Sequence, residues 1–228
     1  MSIREEIIKH TSIIQDIAEK VSMLDVLISF AYVSLKNNYI KPEITDHTEL
    51  IIKDSRHPVV EQLVENFIAN DIDFNDNKKM MIITGANMVG KSTLARQTAL
   101  IILLAQTGCF VPASYAKIGI VDKLFSRVGA YDDLTMGQST FMVEMSETAN
   151  ILNNATSKSF IILDEIGRGT STFDGLAIAW AIAEHIHDNI NAKTIFATHY
   201  HQLNELAGKM SKIRNYNLSL IHISEPTR

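Results

Sequence analysis

The octapeptide Gly85-Ala86-Asn87-Met88-Val89-Gly90-Lys91-Ser92 satisfies G-x-x-x-x-G-K-[ST], and it lies between an apolar run, Met80 to Thr84, and a helical pattern, Lys91 to Gln106. No other feature constrains the chain as strongly, because such a loop works only where a strand feeds it and a helix leaves it. Its glycines let successive backbone N–H groups turn inward, and the helix N-terminus adds a dipole that favours an anion. The spacing predicts a phosphate cradle formed by Gly85, Ala86, Asn87, Met88, Val89 and Gly90 with the first helical residues Lys91, Ser92 and Thr93. Lys91 would reach the β- and γ-phosphates and Ser92 would hold Mg²⁺.

Around that loop the pattern alternates. Strand candidates fall at Leu50 to Lys53, Met80 to Thr84, Phe160 to Leu163 and Thr194 to Ala197, with helical patterns at Lys91 to Gln106, Val143 to Asn154, Asp174 to Asp188 and His201 to Ala207. Alternation of this kind predicts an α/β layered fold with a largely parallel sheet and flanking helices. Before it, Ile3, Ile7, Ile14, Ile17, Val21, Leu24, Ile28, Ala31 and Leu35 recur by threes and fours, apart from a polar His10. That periodicity predicts one long amphipathic helix of about 50 Å, a strut ended by Lys41-Pro42. The expected division is a helical strut at 1–42, the α/β domain at 43–220, with Glu43 to Thr48 as a linker at its start, and a tail at 221–228. The tail continues no pattern after an unfinished strand, Tyr216 to Leu220, and reads as non-native.

Phe160-Ile161-Ile162-Leu163-Asp164-Glu165 reads as a buried strand delivering two carboxylates at its C-terminal end, where open α/β sheets bind ligands. Asp164 suits a Mg²⁺ shell, and Glu165 suits the polarisation of an attacking water. A further strand end presents Thr198-His199. Read alone, that histidine is more often a satisfied polar residue than a functional one. The pairs His185/His187 and His199/His201 lack the ligand set of a zinc site. The single cysteine, Cys109, has no intrachain disulfide partner and reads as an inert buried thiol. A net charge of −5 gives the surface no general attraction for nucleic-acid phosphates. Apolar runs such as Ala99 to Ala105 are too short to cross a bilayer, so a cytoplasmic protein with no membrane partner is expected.

Several segments together resemble the MutS mismatch-repair ATPases, of the ABC-type branch of phosphate-loop NTPases. They are Asp25-Val26-Leu27, Arg56-His57-Pro58-Val59-Val60-Glu61, Phe67-Ile68-Ala69-Asn70 and the phosphate loop, followed by Gly137-Gln138-Ser139-Thr140-Phe141-Met142-Val143-Glu144-Met145, Asp164 through Thr172, and Ala197-Thr198-His199-Tyr200. The resemblance implies that Phe67 stacks on adenine and that Asn87 lies near the γ-phosphate and the attacking water. It implies further that Ser139 reaches the ATP of a second subunit and that His199 is a switch histidine. Lys91, Asn87, Glu165 and His199 would then carry ATP hydrolysis.

The same resemblance implies a homodimer, mismatched double-stranded DNA gripped by domains outside these residues, and a downstream MutL-type partner. Ala86 and Val89 depart from the family's usual loop residues without removing a side-chain contact to phosphate. Two alternatives remain: a nucleotide-binding fragment that does not dimerise or turn over, and a MutS paralogue acting in another DNA transaction. A transporter subunit would carry Leu-Ser-Gly-Gly-Gln, and this chain has Gly137-Gln138-Ser139-Thr140.

Overall fold

The amphipathic pattern at the start of the chain forms helix α1, Thr11–Lys36, in the computed structural model, which describes residues 4, 7–8, 10–86, 89–128 and 140–218. Ser34 is its one buried residue, while Ile14, Ile17, Val21, Leu24 and Ile28 are all more than half exposed. The expected continuous helix from Ile3 is interrupted at His10, a turn residue whose non-helical backbone precedes the first turn of α1. The helix also stops before Lys41-Pro42. Asn38 adopts the left-handed conformation at φ 54°, and the Tyr39 N–H donates back to the Ser34 carbonyl, which is the hydrogen-bond pattern of a Schellman stop.

An ionic joint fixes that end to the rest of the molecule. Arg56 pairs with Glu61 at 2.6 Å and donates to the carbonyls of Asn37 and Asn38, and the Tyr39 hydroxyl donates to Glu61.

Two sheets follow. The first is mixed and four-stranded: β1 (Glu43–Thr45), β2 (Leu50–Ser55), β3 (Asn70–Phe74) and β5 (Tyr115–Gly119), in the order β1-β5-β2-β3. Glu43 to Thr48, expected as a linker, thus contains β1, paired in parallel with β5. Three residues are too few to show a period, and tertiary pairing decides their conformation. The second sheet is five-stranded and wholly parallel: β4 (Met80–Thr84), β6 (Leu124–Arg127), β7 (Phe160–Asp164), β8 (Lys193–Ala197) and β9 (Ile213–Asn217), in the order β6-β7-β8-β4-β9. The final strand begins at Ile213, three residues earlier than the expected Tyr216.

Side chains alternate across the parallel sheet and so face two cores. Met81, Ile83, Phe160 and Ile162 join the mixed sheet and helix α2, Lys91–Gln106, on one face. Met80, Ile82, Ile161 and Leu163 pack on the other face with Ala179, Ile182 and Ala183 of helix α4, Thr172–His185. Helix α3, Thr140–Asn154, adds Ile151 to this second core. Strands buried on both faces read as continuous apolar runs, which is why β4, β7 and the Ile195 to Ala197 part of β8 are so apolar. Two helices differ from expectation. The Ser171 side chain caps α4 by accepting from the Asp174 N–H, and α4 passes into a π turn at Ile186–Ile190. The segment expected as a helix from His201 is a 3₁₀ turn, His201–Glu205, before a single α turn, Leu206–Lys209.

Candidate functional site

Strand register brings the expected residues to one edge. Ile83 lies beside Ala197, and Ala197 lies beside Asp164, so the C-terminal ends of β4, β8 and β7 stand level. The edge is stitched together by the Thr198 N–H donating to Ile83 O and the Glu165 N–H donating to Ala197 O. The loop after β4 needs its glycines. Gly85 has φ 153°, and a Cβ there would lie 2.7 Å from the Leu218 carbonyl; Gly90 has φ 96° where α2 begins.

Lys91 is buried and folds over this loop, its Nζ donating to the carbonyls of Gly85 at 2.7 Å and Ala86 at 2.8 Å. Ser92 and Thr93 are half-buried on the first turn of α2, Val89 and Gly90 are half-buried, and Ala86 is exposed. Asn87, Met88 and Ser139 lie outside the described residues.

Asp164 is buried at the end of β7, and its Oδ1 has no hydrogen-bond partner among the described residues. Burial raises its carboxyl pKa, the neighbouring Ser92 hydroxyl opposes that shift, Glu165 adds to it, and Arg96 and Lys91 oppose it. A buried carboxylate oxygen beside a serine hydroxyl is a hard donor pair suited to Mg²⁺, which takes one or two protein oxygens and completes its shell with phosphate and water. The residues present fit that ion.

Glu165 is half-buried, and one carboxylate oxygen, Oε2, is held by Arg168 at 2.6 Å. Its φ of 54° places a non-glycine residue in the left-handed region, at a cost of about 1–2 kcal/mol. His199 follows β8 with its ring centroid 4.1 Å from that of Tyr200 and the two planes tilted at 41°. Partial burial lowers the His199 pKa; Glu165 opposes this, while Arg168, Lys91 and His201 reinforce it. The shift favours the neutral imidazole.

Phe67 is half-buried in the segment entering β3, whose first residue, Asn70, is tied to α2 through buried groups. The Ser55 hydroxyl donates to Asn70 O, and Gln97 of α2 donates to that hydroxyl at 2.6 Å. Ser55, Gln97, Arg96 and Arg168 escape a reading of the sequence, because each acts through a partner distant in the chain or through a backbone turn. His57 is likewise recognisable only in the fold, where its Nδ1 accepts from the N–H groups of Val59 and Val60.

A strand, a glycine loop with a buried lysine folded over it, and an acidic residue ending a parallel strand two places away in the sheet define the phosphate-loop NTPase class of α/β domain. Within that class the family described as MutS domain V matches residues 81–227. A DNA mismatch repair protein MutS from Caldanaerobacter subterraneus subsp. tengcongensis is 60% identical over 219 residues, covering 96% of this chain and 25% of that protein. Its counterparts from Lachnoclostridium phytofermentans and Chlorobium limicola are 57% and 55% identical over 96% and 93% of this chain, and 24% and 25% of their own lengths. The chain belongs to the MutS family, and it spans about a quarter of the length of these relatives.

Proposed function

We propose that this chain is the ATP-hydrolysing switch of a DNA mismatch-repair protein, working with Mg²⁺ at a site completed by a second copy. The observation that carries the reading is the convergence of Lys91, the Ser92–Asp164 pair and Glu165 on one sheet edge. Bound Mg²⁺ supplies charge neutralisation on the phosphate oxygens. Lys91 leaves the loop carbonyls to reach the β- and γ-phosphates, and the loop N–H groups with the α2 N-terminus bind the remaining anionic oxygens. The Glu165 oxygen that Arg168 does not hold orients water, and His199 contacts the γ-phosphate or that water. Phe67 stacks on adenine and Asn87 approaches the γ-phosphate, while Ser139 acts across the dimer.

In this reading residues 1–42 are a strut and 43–220 the ATPase. Mismatched DNA is gripped by other parts of the protein, with a MutL-type factor acting downstream. The experiment is ATP turnover per subunit across a concentration series, with Glu165→Ala beside the wild type. A rate that rises with concentration, and a variant that binds ATP but loses turnover by about a hundred-fold or more, are expected. A flat rate sinks the shared site. Unchanged turnover in Glu165→Ala removes that residue from the role.

A further inference from the structure

We infer that Glu144 and Tyr200 are positioning residues for hydrolysis, clamping Gly167 through the peptide groups on its two sides and so fixing the orientation of Glu165. The inference rests on Glu165 being the residue that aligns water.

Glu144 lies on the second turn of α3 and is buried, 5% exposed. Its carboxylate Oε1 accepts from the Gly167 N–H across 23 residues of sequence. On the other side of the same residue, the Gly167 carbonyl accepts from the Tyr200 hydroxyl at 3.1 Å. Three segments therefore meet at one residue: the start of α3, the turn after β7 and the turn after β8. A buried carboxylate is costly to desolvate, and here it is spent on a loop N–H two residues from Glu165.

Space around the clamp is as restrictive as its hydrogen bonds. Gly167 has φ 85°, and a Cβ there would lie 2.6 Å from the Gly175 carbonyl. A Cβ on Gly175 would lie 2.3 Å from both the Gly167 carbonyl and the Tyr200 hydroxyl oxygen. At Gly169 a Cβ would lie 3.1 Å from the Cβ of Phe141 on the first turn of α3. The loop has one seat, with backbone against backbone on the α4 side and α3 behind it. Glu165 itself sits at φ 54°, a conformation that persists only where the surroundings over-determine it. Its own N–H is held by Ala197, the Ile166 side chain is fully buried in the second core, and Gly167 follows with its N–H and its carbonyl both hydrogen-bonded.

Glu144 bonds to none of the phosphate-contacting groups, and Tyr200→Phe keeps the ring beside His199, so loss of the clamp's hydrogen bonds should act on turnover and spare binding. In Glu144→Ala turnover is expected to fall about ten-fold or more with ATP affinity within about two-fold. Glu144→Gln keeps a carbonyl oxygen for Gly167 and should return to within about three-fold of wild type. Tyr200→Phe, which removes a single hydroxyl, should lower turnover by about three-fold or more and serves as the test if Glu144→Ala does not fold. Hydrogen exchange at residues 165–169 gives a readout independent of catalysis and should quicken in Glu144→Ala while β7 stays protected. Wild-type turnover in Glu144→Ala, no recovery in Glu144→Gln, a loss of ATP affinity matching the loss of turnover, or unchanged exchange would each overturn the inference. Glu165→Ala distinguishes the two levels. If it turns over normally, the reading of Glu165 fails; if it is dead while Glu144→Ala and Tyr200→Phe are normal, only the clamp fails.

Discussion

Lys193 opens β8 with 1% of its surface exposed, and its Nζ has no hydrogen-bond partner among the described residues. Burial lowers its pKa from 10.5 to about 8, with Lys79 reinforcing the shift and Asp122 and Asp76 opposing it. At about 1.4 kcal/mol per pH unit, holding this ammonium in the folded chain at pH 7 costs at most about 3–4 kcal/mol. Below pH 8 both states carry the proton and the penalty is constant. Between pH 8 and 10.5 the unfolded chain binds more protons than the folded one, so stability rises with pH across that window.

Lys193→Met keeps the apolar stem and removes the charge. It should stabilise the protein by about 1–3 kcal/mol at pH 7, or roughly 3–10 °C in Tm for a chain of this size. Its advantage should shrink steadily towards pH 10. Urea unfolding of both proteins at pH 7, 8, 9 and 10 measures this directly. Nucleotide binding should be unaffected, because Lys193 pairs with Phe160 at one end of the β7–β8 ladder and Asp164 pairs with Ala197 at the other. A variant no more stable than wild type at pH 7, or a difference that ignores pH, would refute the argument.

The joint below α1 and the acidic end of β7 give two more predictions. Arg56→Ala removes the 2.6 Å pair and leaves the Glu61 carboxylate, whose side chain is 9% exposed, without its cation. The expected loss is about 3 kcal/mol with faster hydrogen exchange at Tyr39, and unchanged exchange there would show that the joint does not hold the helix end. Asp164 has a raised carboxyl pKa, so the folded chain keeps its proton to higher pH than the unfolded chain, and stability falls as pH rises through that window. Asp164→Asn should therefore melt higher than wild type at pH 7 in the absence of nucleotide, yet lose the Mg²⁺ dependence of ATP binding. Thermal melts with ATP, with and without Mg²⁺, decide it; retained Mg²⁺ dependence would remove Asp164 from the metal site.

Legibility in the sequence followed burial. Strands β4, β7 and β8 are buried on both faces, and their largely apolar stretches show in the sequence as runs close to their true bounds. The mixed sheet is poorly visible for the converse reason. In β3, Asn-Asp-Ile-Asp-Phe, only Ile72 and Phe74 face the core, and two aspartates disguise the strand. The edge strand β1 exists through its pairing with β5, and no local pattern announces such a pairing. Helix α1 is strongly periodic, but its end is set by Asn38 turning left-handed, whereas the proline marks only where a helix can no longer continue.

The site divides along a similar line. The phosphate loop and Asp164-Glu165 are contiguous, so their chemistry is written in adjacent letters. What holds them in working geometry is scattered: Glu144 and Tyr200 stand 56 positions apart and meet only because α3 and the end of β8 both press on Gly167. Both lie inside segments that resemble the family, yet a carboxylate on a helix and a tyrosine after a histidine declare no role by themselves. Their meaning comes from a strained glutamate two residues from the peptide they grip. Where a reactive side chain must occupy an unfavourable backbone conformation, the residues that stabilise it are fixed by the fold's topology, and the motif carries only the residue being held.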